Sequence, residues 1–276
     1  MMIRQVCNII ALTWLVLALV SCKKKLSNVT PIPQTGIYLD TSWINGQDTL
    51  LYRMLLPNDF DYNKKYPVVL FLHGMGERGT DNKTQLVHGS KLFLDSIDRY
   101  PGIIILPQCP PTDYWANLDR SHFDEDSLRL FKYRLDQSPH PTLGMVMELL
   151  KQLIQQSYID SSRIYLSGLS MGAMGAYDIL WRMPNTFAVC MLVCGSGPIE
   201  KVDDFRATPF WIFHGGMDRT VSTRHSIEMV DSLRARQANV RFSLYPNANH
   251  NSWDSAFAEP EYLKWMFSHQ LKRNKE

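Results

Sequence analysis

Residues 163–181 read RIYLSGLSMGAMGAYDILW and hold the pattern G-x-S-x-G at 168–172. The β-branched and aromatic run at 163–167 predicts a buried strand, and the small residues from 173 onward favour a helix. A serine at the tight turn between a strand and a helix has a strained backbone and an exposed hydroxyl. Glycines flank it because larger side chains would clash there. The pattern predicts that Ser170 is a nucleophile.

An oxyanion hole needs two backbone N–H groups aimed at the reacting carbonyl oxygen. The first helical N–H after the serine, that of Met171, is one candidate. Residues 66–72 (YPVVLFL) form an apolar run that is typical of a central parallel strand, and HGMGERG follows at 73–79. We assign the second donor to Met75, with Gly76 as the alternative, because the loop after such a strand supplies it. We interpret His73, which opens that loop, as a structural histidine.

An acid and a base for the serine are expected after later strands of the sheet. Asp218 lies in HGGMDRTV at 214–221, directly after the apolar run 208–213, and it is the candidate acid. His250 follows the predicted last strand and is the candidate base. Of the eight histidines, His214 is the only serious rival, and it precedes the acid in the chain. The order serine, acid, histidine is that of α/β-hydrolases and not that of chymotrypsin or subtilisin.

The loop LHGMGERG at 72–79, with Asp81-Asn82 and Gln85-Leu86 behind it, resembles the secreted esterase branch of the α/β-hydrolases. That branch includes feruloyl and acetyl-xylan esterases of carbohydrate esterase family 1, polyhydroxybutyrate-depolymerase-like esterases, and related carboxylesterases and phospholipases. The resemblance covers roughly residues 52–267. One departure is Ala173, where the family usually has a glycine.

The resemblance implies an α/β fold with a single α/β-hydrolase domain, a mostly parallel central sheet and helices on both faces. The turn Asn45-Gly46 between two alternating apolar runs predicts an antiparallel N-terminal edge. Two family patterns support the candidate triad: H-G-x-x-D-x-x-V places Asp218 as the acid, and His-x-x-Trp is met by His250 and Trp253.

Three side chains are candidate substrate contacts. Gln108 and Trp115 lie in a loop that borders the active site in the family, and Trp253 is close to the candidate base. For the first two, a rigid proline turn with a half-buried tryptophan is an equal alternative. Residues 119–137 are charged and interrupted, which predicts a small surface insertion beside the cleft.

The first 35 residues predict export. Residues 1–21 resemble a lipoprotein signal peptide, with Arg4 followed by an apolar stretch, and LVSC at 19–22 resembles the bacterial lipobox. We expect Cys22 to carry lipid and residues 22–35 to form a tether before a catalytic domain at 36–276. The expected location is the bacterial cell envelope, on a membrane reached through the lipid anchor. A plain secretory signal cut near Ser21 is the alternative.

Charge and cysteine content narrow the classes of partner. The net charge is +2, and no basic stripe interleaved with aromatic residues occurs, so nucleic acid is not expected as a partner.

Cys190 and Cys194 fall in a predicted strand, about 13 Å apart, which is too far for a disulfide. With Cys109, they are interpreted as small buried residues. No C-x-x-C or H-E-x-x-H motif occurs, and we expect neither a metal site nor a cofactor.

These observations predict a serine carboxylic-ester hydrolase that works through an acyl-enzyme, on acylated polysaccharide or related esters. A serine peptidase of the prolyl-oligopeptidase type has the same fold and triad order, and it is the main alternative. A non-catalytic surface-binding lipoprotein is the weakest alternative, because such a protein need not retain all three triad positions.

Overall fold

The computed structural model describes residues 34–122 and 130–271. The described residues belong to one compact unit, Ile32–Glu276. The predicted signal peptide, Cys22, most of the predicted tether and the acidic run at 124–126 lie outside the described residues. Among the residues that are described, no helix combines the length and apolarity needed to cross a membrane.

Within the described residues, eight strands form the central sheet, in the order β1-β2-β4-β3-β7-β8-β9-β10. A separate ribbon pairs β5 with β6. The strands are β1 Tyr38–Asn45, β2 Asp48–Leu55, β3 Tyr66–Leu72, β4 Ile103–Pro107, β5 Leu118–Asp119, β6 Lys132–Tyr133, β7 Ile159–Leu169, β8 Val189–Val193, β9 Phe210–Gly215 and β10 Val240–Tyr245.

The N-terminal edge of the sheet is antiparallel, as predicted. β1 pairs with β2 and β2 with β4 in antiparallel register, and all other neighbours in the sheet are parallel. Asn45 pairs directly with Asp48, so the hairpin turn is Gly46-Gln47, one residue later than predicted. Gly46 has a φ of +63°, which a glycine adopts without strain, and this explains its place at the start of the turn.

Helices cover both faces of the sheet, which confirms the predicted architecture. Along the central strand β3, Val68 and Leu70 pack into one core, and Val69 and Phe71 pack into the other. The first core lies under α2, α3, α4 and α5, and the second under α1, α6 and α7. The helices are α1 Ser90–Ser96, α2 Pro141–Ile154, α3 Met171–Arg182, α4 Val202–Phe205, α5 Thr223–Ala235, α6 Trp253–Phe257 and α7 Tyr262–Phe267.

The described parts of the predicted insertion at 119–137 contribute to a short two-stranded ribbon. In it, Lys132–Tyr133 pairs with Leu118–Asp119. The hydroxyl of Tyr133 donates to the carbonyl of Ser196 at 2.7 Å and also contacts the carbonyl of Met174 at 3.2 Å. These bonds attach the ribbon to α3 and to the loop after β8, at the edge of the sheet where Ser170 lies.

Candidate active site

The sharp turn at Ser170 lies between the end of β7 at Leu169 and the start of α3 at Met171. Ser170 has φ +51° and ψ −117°, a conformation that is strained for any residue with a side chain. Its N–H donates to the carbonyl of Val193 at 2.8 Å, so the neighbouring strand helps to hold the turn. The turn places the serine side chain at the carboxyl edge of the parallel strands.

Close packing explains the glycine that follows the serine. A Cβ at Gly172 would lie 2.0 Å from the carbonyl oxygen of Leu72 and 2.7 Å from that of His73. Both are backbone atoms, one in the last residue of β3 and one in the residue that follows it, so neither can move away without disturbing the sheet. Gly172 is therefore required by contact between α3 and β3.

The structure brings the three predicted triad residues together. Ser170 Oγ lies 2.9 Å from His250 Nε2, and His250 Nδ1 lies 2.7 Å from Asp218 Oδ2. Asp218 follows β9, and His250 lies in the loop after β10. The carboxylate of Asp218 has no exposed surface, whereas 19% of the His250 side chain is exposed. This geometry allows the imidazole to accept the serine proton on one nitrogen while it donates to the carboxylate from the other.

Four hydrogen-bond donors surround the Asp218 carboxylate. The N–H groups of Thr220 and Val221 each donate to Oδ1 at 2.9 Å. His214 Nε2 lies 3.2 Å from Oδ2, the oxygen that also faces His250. Burial alone would raise the pKa of this carboxyl, but the hydrogen bonds from His214 and His250 hold that pKa well below its ordinary value. The carboxylate therefore stays ionised at neutral pH and can stabilise a positively charged His250.

The rival histidine lies next to the acid and not beside the serine. His214 is fully buried, its Nδ1 lies 2.7 Å from Ser226 Oγ, and its Nε2 lies 2.9 Å from the Val221 carbonyl. A nitrogen that faces both a carbonyl and a carboxylate must carry the proton, so Nε2–H donates and Nδ1 accepts from Ser226. His214 is thus a fixed donor to Asp218. The sequence indicated His214 as a rival to His250 for the role of base, but it could not show which way the His214 imidazole points.

The predicted oxyanion loop begins directly after β3. Its first residue, His73, is buried, which lowers its pKa to about 4 and keeps it neutral. His73 Nε2 accepts a hydrogen bond from the Cys109 N–H at 3.0 Å, and the His73 carbonyl accepts one from Trp115 Nε1 at 3.0 Å. These bonds support the interpretation of His73 as a structural histidine. Met75 then begins a short 3-10 turn that lines the cleft beside Ser170.

A cleft of about 230 Å³ opens over the serine. Ser170, His250, Met75 and the predicted contact Trp253 all line it. Residues that the sequence did not single out also line this cleft, among them Glu77, Tyr114, Arg120, Phe131 and Val221. Two of them could have been found from their positions in the sequence: Glu77 lies in the predicted oxyanion loop, and Arg120 lies in the predicted insertion. A larger depression of about 1000 Å³ elsewhere contains none of the triad residues.

Two of the predicted substrate contacts do not reach the cleft. Trp115 has no exposed surface, because its indole packs into the core and donates to the loop backbone. Gln108 is 3% exposed, and its amide accepts from the Asn82 N–H and donates to Asp81 Oδ1, both at 2.7 Å. These side chains join the loop after β3 to the loop after β4, so their prediction as substrate contacts was wrong.

The three described cysteines, Cys109, Cys190 and Cys194, are free and buried. Cys194 lies behind the triad: its sulfur and one ligand atom each of Asp218 and His250 all lie within 4.8 Å of one another. Burial raises the pKa of this thiol far above its ordinary value. Because the acid and histidine are already bonded to each other and the thiol is protonated, we assign no metal to this group.

The chain is similar to known proteins both in sequence and in structure. A sequence model of the phospholipase/carboxylesterase family matches residues 61–261. A thermostable esterase of known crystal structure shares 29% sequence identity with this chain, and the two structures align with a TM-score of 0.74. The similarity covers 84% of this chain and 63% of the esterase chain, so the present chain spans less than two thirds of that protein.

More distant proteins include both esterases and peptidases. A ferulic acid esterase structure has a TM-score of 0.61 at 17% identity, covering 84% of this chain and 98% of its own. At that identity the likeness shows a shared fold alone. Dipeptidyl-peptidase 5 of Porphyromonas gingivalis (strain ATCC 33277) is 20% identical, over 78% of this chain and 35% of the peptidase. The chain therefore spans about a third of the length of that relative.

Proposed function

Because the chain belongs to the phospholipase/carboxylesterase family, we propose that it is a serine hydrolase that cleaves carboxylic esters through Ser170, His250 and Asp218. The observation that carries the proposal is the continuous hydrogen-bond chain from the serine hydroxyl through the imidazole to the buried carboxylate. The similarity to a thermostable esterase in sequence and structure supports esters as the substrate class.

In the proposed mechanism, His250 takes the proton of Ser170 as the serine oxygen attacks the ester carbonyl. Asp218 keeps the imidazole oriented and stabilises its positive charge. The N–H groups of Met171 and Met75 stabilise the oxyanion of the tetrahedral intermediate. His250 then returns the proton to the departing alcohol, and water hydrolyses the acyl-enzyme by the same steps. The chemistry needs no further group.

For the substrate, we propose acylated polysaccharide fragments or related esters. The cleft is partly open, and the Trp253 ring is one of its walls, which suits contact with the flat apolar face of a sugar or aryl group. A peptidase remains the second candidate, since the chain is similar to a dipeptidyl-peptidase over most of its own length.

We expect aryl and short-acyl esters to be cleaved faster than amides, by about tenfold or more in kcat/KM. The measurement compares methyl ferulate and acetylated xylan with a prolyl-nitroanilide peptide, using the Ser170→Ala variant as the blank. A higher kcat/KM on the peptide would overturn the esterase assignment and favour the peptidase.

We also propose that the protein is exported and held on the cell envelope by lipid on Cys22. The support is the sequence LVSC at 19–22 after an apolar stretch. We expect Cys22→Ala to give soluble or unprocessed protein, as measured by membrane fractionation and intact mass. A wild-type mature protein that lacks acyl mass and occurs only in the soluble fraction would contradict this.

A further inference from the structure

An arginine from the predicted insertion forms part of the wall of the catalytic cleft. Arg120 directly follows β5, is half-buried, and lines the cleft together with Ser170 and His250. Its Cζ lies 4.3 Å from the centre of the Tyr114 ring, and its Nη1 lies 3.6 Å from Met75 Sδ. These two contacts hold the guanidinium beside the loop that is predicted to stabilise the oxyanion.

Neither of these contacts supplies a negative charge. A thioether is a weak acceptor and an aromatic face attracts a cation weakly at an exposed site, whereas a guanidinium offers five N–H donors. Among the described residues, Arg120 forms no ion pair. By contrast, Arg78 in the oxyanion loop donates to the carbonyls of Pro111 at 2.9 Å and Asp113 at 3.0 Å. The donors of Arg78 are used within the protein, and most of those of Arg120 are not.

The acidic residue of the cleft does not neutralise this arginine by direct contact. Glu77 is the one acidic side chain among the described residues that line the cleft. Its Oε2 is buried, and its Oε1 lies 3.7 Å from Nε2 of His88, a residue outside the lining. A ligand in the cleft would therefore meet the positive charge of Arg120 without a local counterion.

The position of the guanidinium suits a carboxylate of the substrate. The planar fork of an arginine can donate two parallel hydrogen bonds to the two carboxylate oxygens, and such charge-assisted bonds are stronger than neutral ones. One positive charge balances one carboxylate. A phosphate dianion would call for a second cation, and the described lining contains no other arginine or lysine.

We propose that Arg120 is a specificity-determining residue that binds a carboxylate group of the substrate close to the scissile ester. The substrate is then an ester with a free carboxylate on its acyl or its alcohol side, such as an acylated acidic sugar. The inference rests on the proposed ester hydrolysis at Ser170 and narrows its substrate class.

The first test needs only the wild-type protein and two pairs of esters, each a carboxylate and its neutral amide of the same shape. Monoethyl adipate and its amide test the acyl side, and butyryloxyacetate and its amide test the alcohol side. In at least one pair, we expect kcat/KM to favour the carboxylate by about fivefold or more at low ionic strength, the upper range for an exposed ion pair.

Two outcomes of this test count against the proposal in different ways. A ratio near or below one in both pairs, or cleavage of methyl ferulate alone, would overturn the role of Arg120 while leaving the hydrolase function intact. If no ester is cleaved, methyl ferulate included, the proposed function itself fails, and this inference fails with it.

Variants then assign the preference to the guanidinium. In Arg120→Gln, the ratio within the favoured pair should fall to near one, whatever the change in absolute activity. Arg120→Glu should reverse the preference, because the substrate carboxylate would meet a like charge. Arg99→Gln is the matched control and should keep the wild-type ratio, since Arg99 also lies over a tyrosine, Tyr100, at 5.4 Å, but outside the cleft lining. An Arg120→Gln protein that is folded by circular dichroism and keeps the ratio would contradict the proposal.

Ionic strength separates binding of the carboxylate from a general effect of Arg120 on the oxyanion. If the guanidinium binds the substrate carboxylate, added NaCl should lower the wild-type ratio, mainly by raising KM for the carboxylate ester. If Arg120 instead stabilises the oxyanion, Arg120→Gln should lower kcat equally for both members of a pair and leave their ratio unchanged. That second result would overturn the proposal.

Discussion

Replacing Ser170 with alanine should lower turnover of an ester substrate by a factor on the order of 10⁴ or more, with the fold retained. The reason is that alanine offers no atom to attack the carbonyl, so the acyl-enzyme cannot form. Hydrolysis and circular dichroism should be measured on the same preparation. Near-normal activity in a folded variant would remove Ser170 from the mechanism.

A second serine provides a matched control for this loss. Ser167 lies in β7, the strand that ends directly before Ser170, and its buried hydroxyl is 2.9 Å from the hydroxyl of Tyr262, away from the cleft lining. Ser167→Ala should therefore lower the free energy of unfolding by about 1 kcal/mol while turnover stays close to wild type. A similar loss of turnover in both variants would indicate a general structural effect.

Replacing Gly172 with alanine should destabilise the protein severely, by more than about 3 kcal/mol in the free energy of unfolding. The added Cβ would lie 2.0 Å from the carbonyl oxygen of Leu72, so either α3 or the end of β3 must shift. Either shift would also disturb the turn at Ser170 and the start of the oxyanion loop. We expect little folded protein and very low activity, measured by urea unfolding and by ester hydrolysis.

Gly144 is the matched control for this steric argument. It lies within α2, and a Cβ there would come no closer than 3.8 Å to its nearest neighbour, Pro139 Cγ. Gly144→Ala should therefore stabilise the protein by about 0.5–1 kcal/mol, because alanine favours the helix. If Gly172→Ala were as stable as wild type, the required contact between α3 and β3 would be disproved.

The fold and the positions of the candidate triad could be predicted because they follow from the order of strands. The run at 66–72 is apolar throughout, and the β-branched and aromatic run before Ser170 is the buried half of its strand; both mark central parallel strands, and the predicted α/β-hydrolase fold is confirmed. Parallel strands end at one edge of the sheet, so the polar residues after them meet there. Asp218 and His250 could therefore be placed near the serine although they are far apart in the chain.

The direction of loop side chains could not be predicted in the same way. Gln108 and Trp115 follow β4 at the correct edge of the sheet, but their loop turns them inward, to Asp81 and to the carbonyl of His73. Glu77 follows β3 at the same edge, and it is among the residues that line the cleft. The sequence places such residues near the edge of the sheet, but hydrogen bonds between distant loops decide which of them reach the substrate.

The measurement that tests the central claim most directly is covalent labelling with a fluorophosphonate, which reacts with an activated serine. Intact mass and peptide mapping should show one adduct, on the peptide that contains Ser170, and no adduct in Ser170→Ala. His250→Ala should label far more slowly, since the serine would have lost its base. An adduct on another residue, or equal labelling of the wild type and Ser170→Ala, would contradict the proposal that Ser170 is the nucleophile.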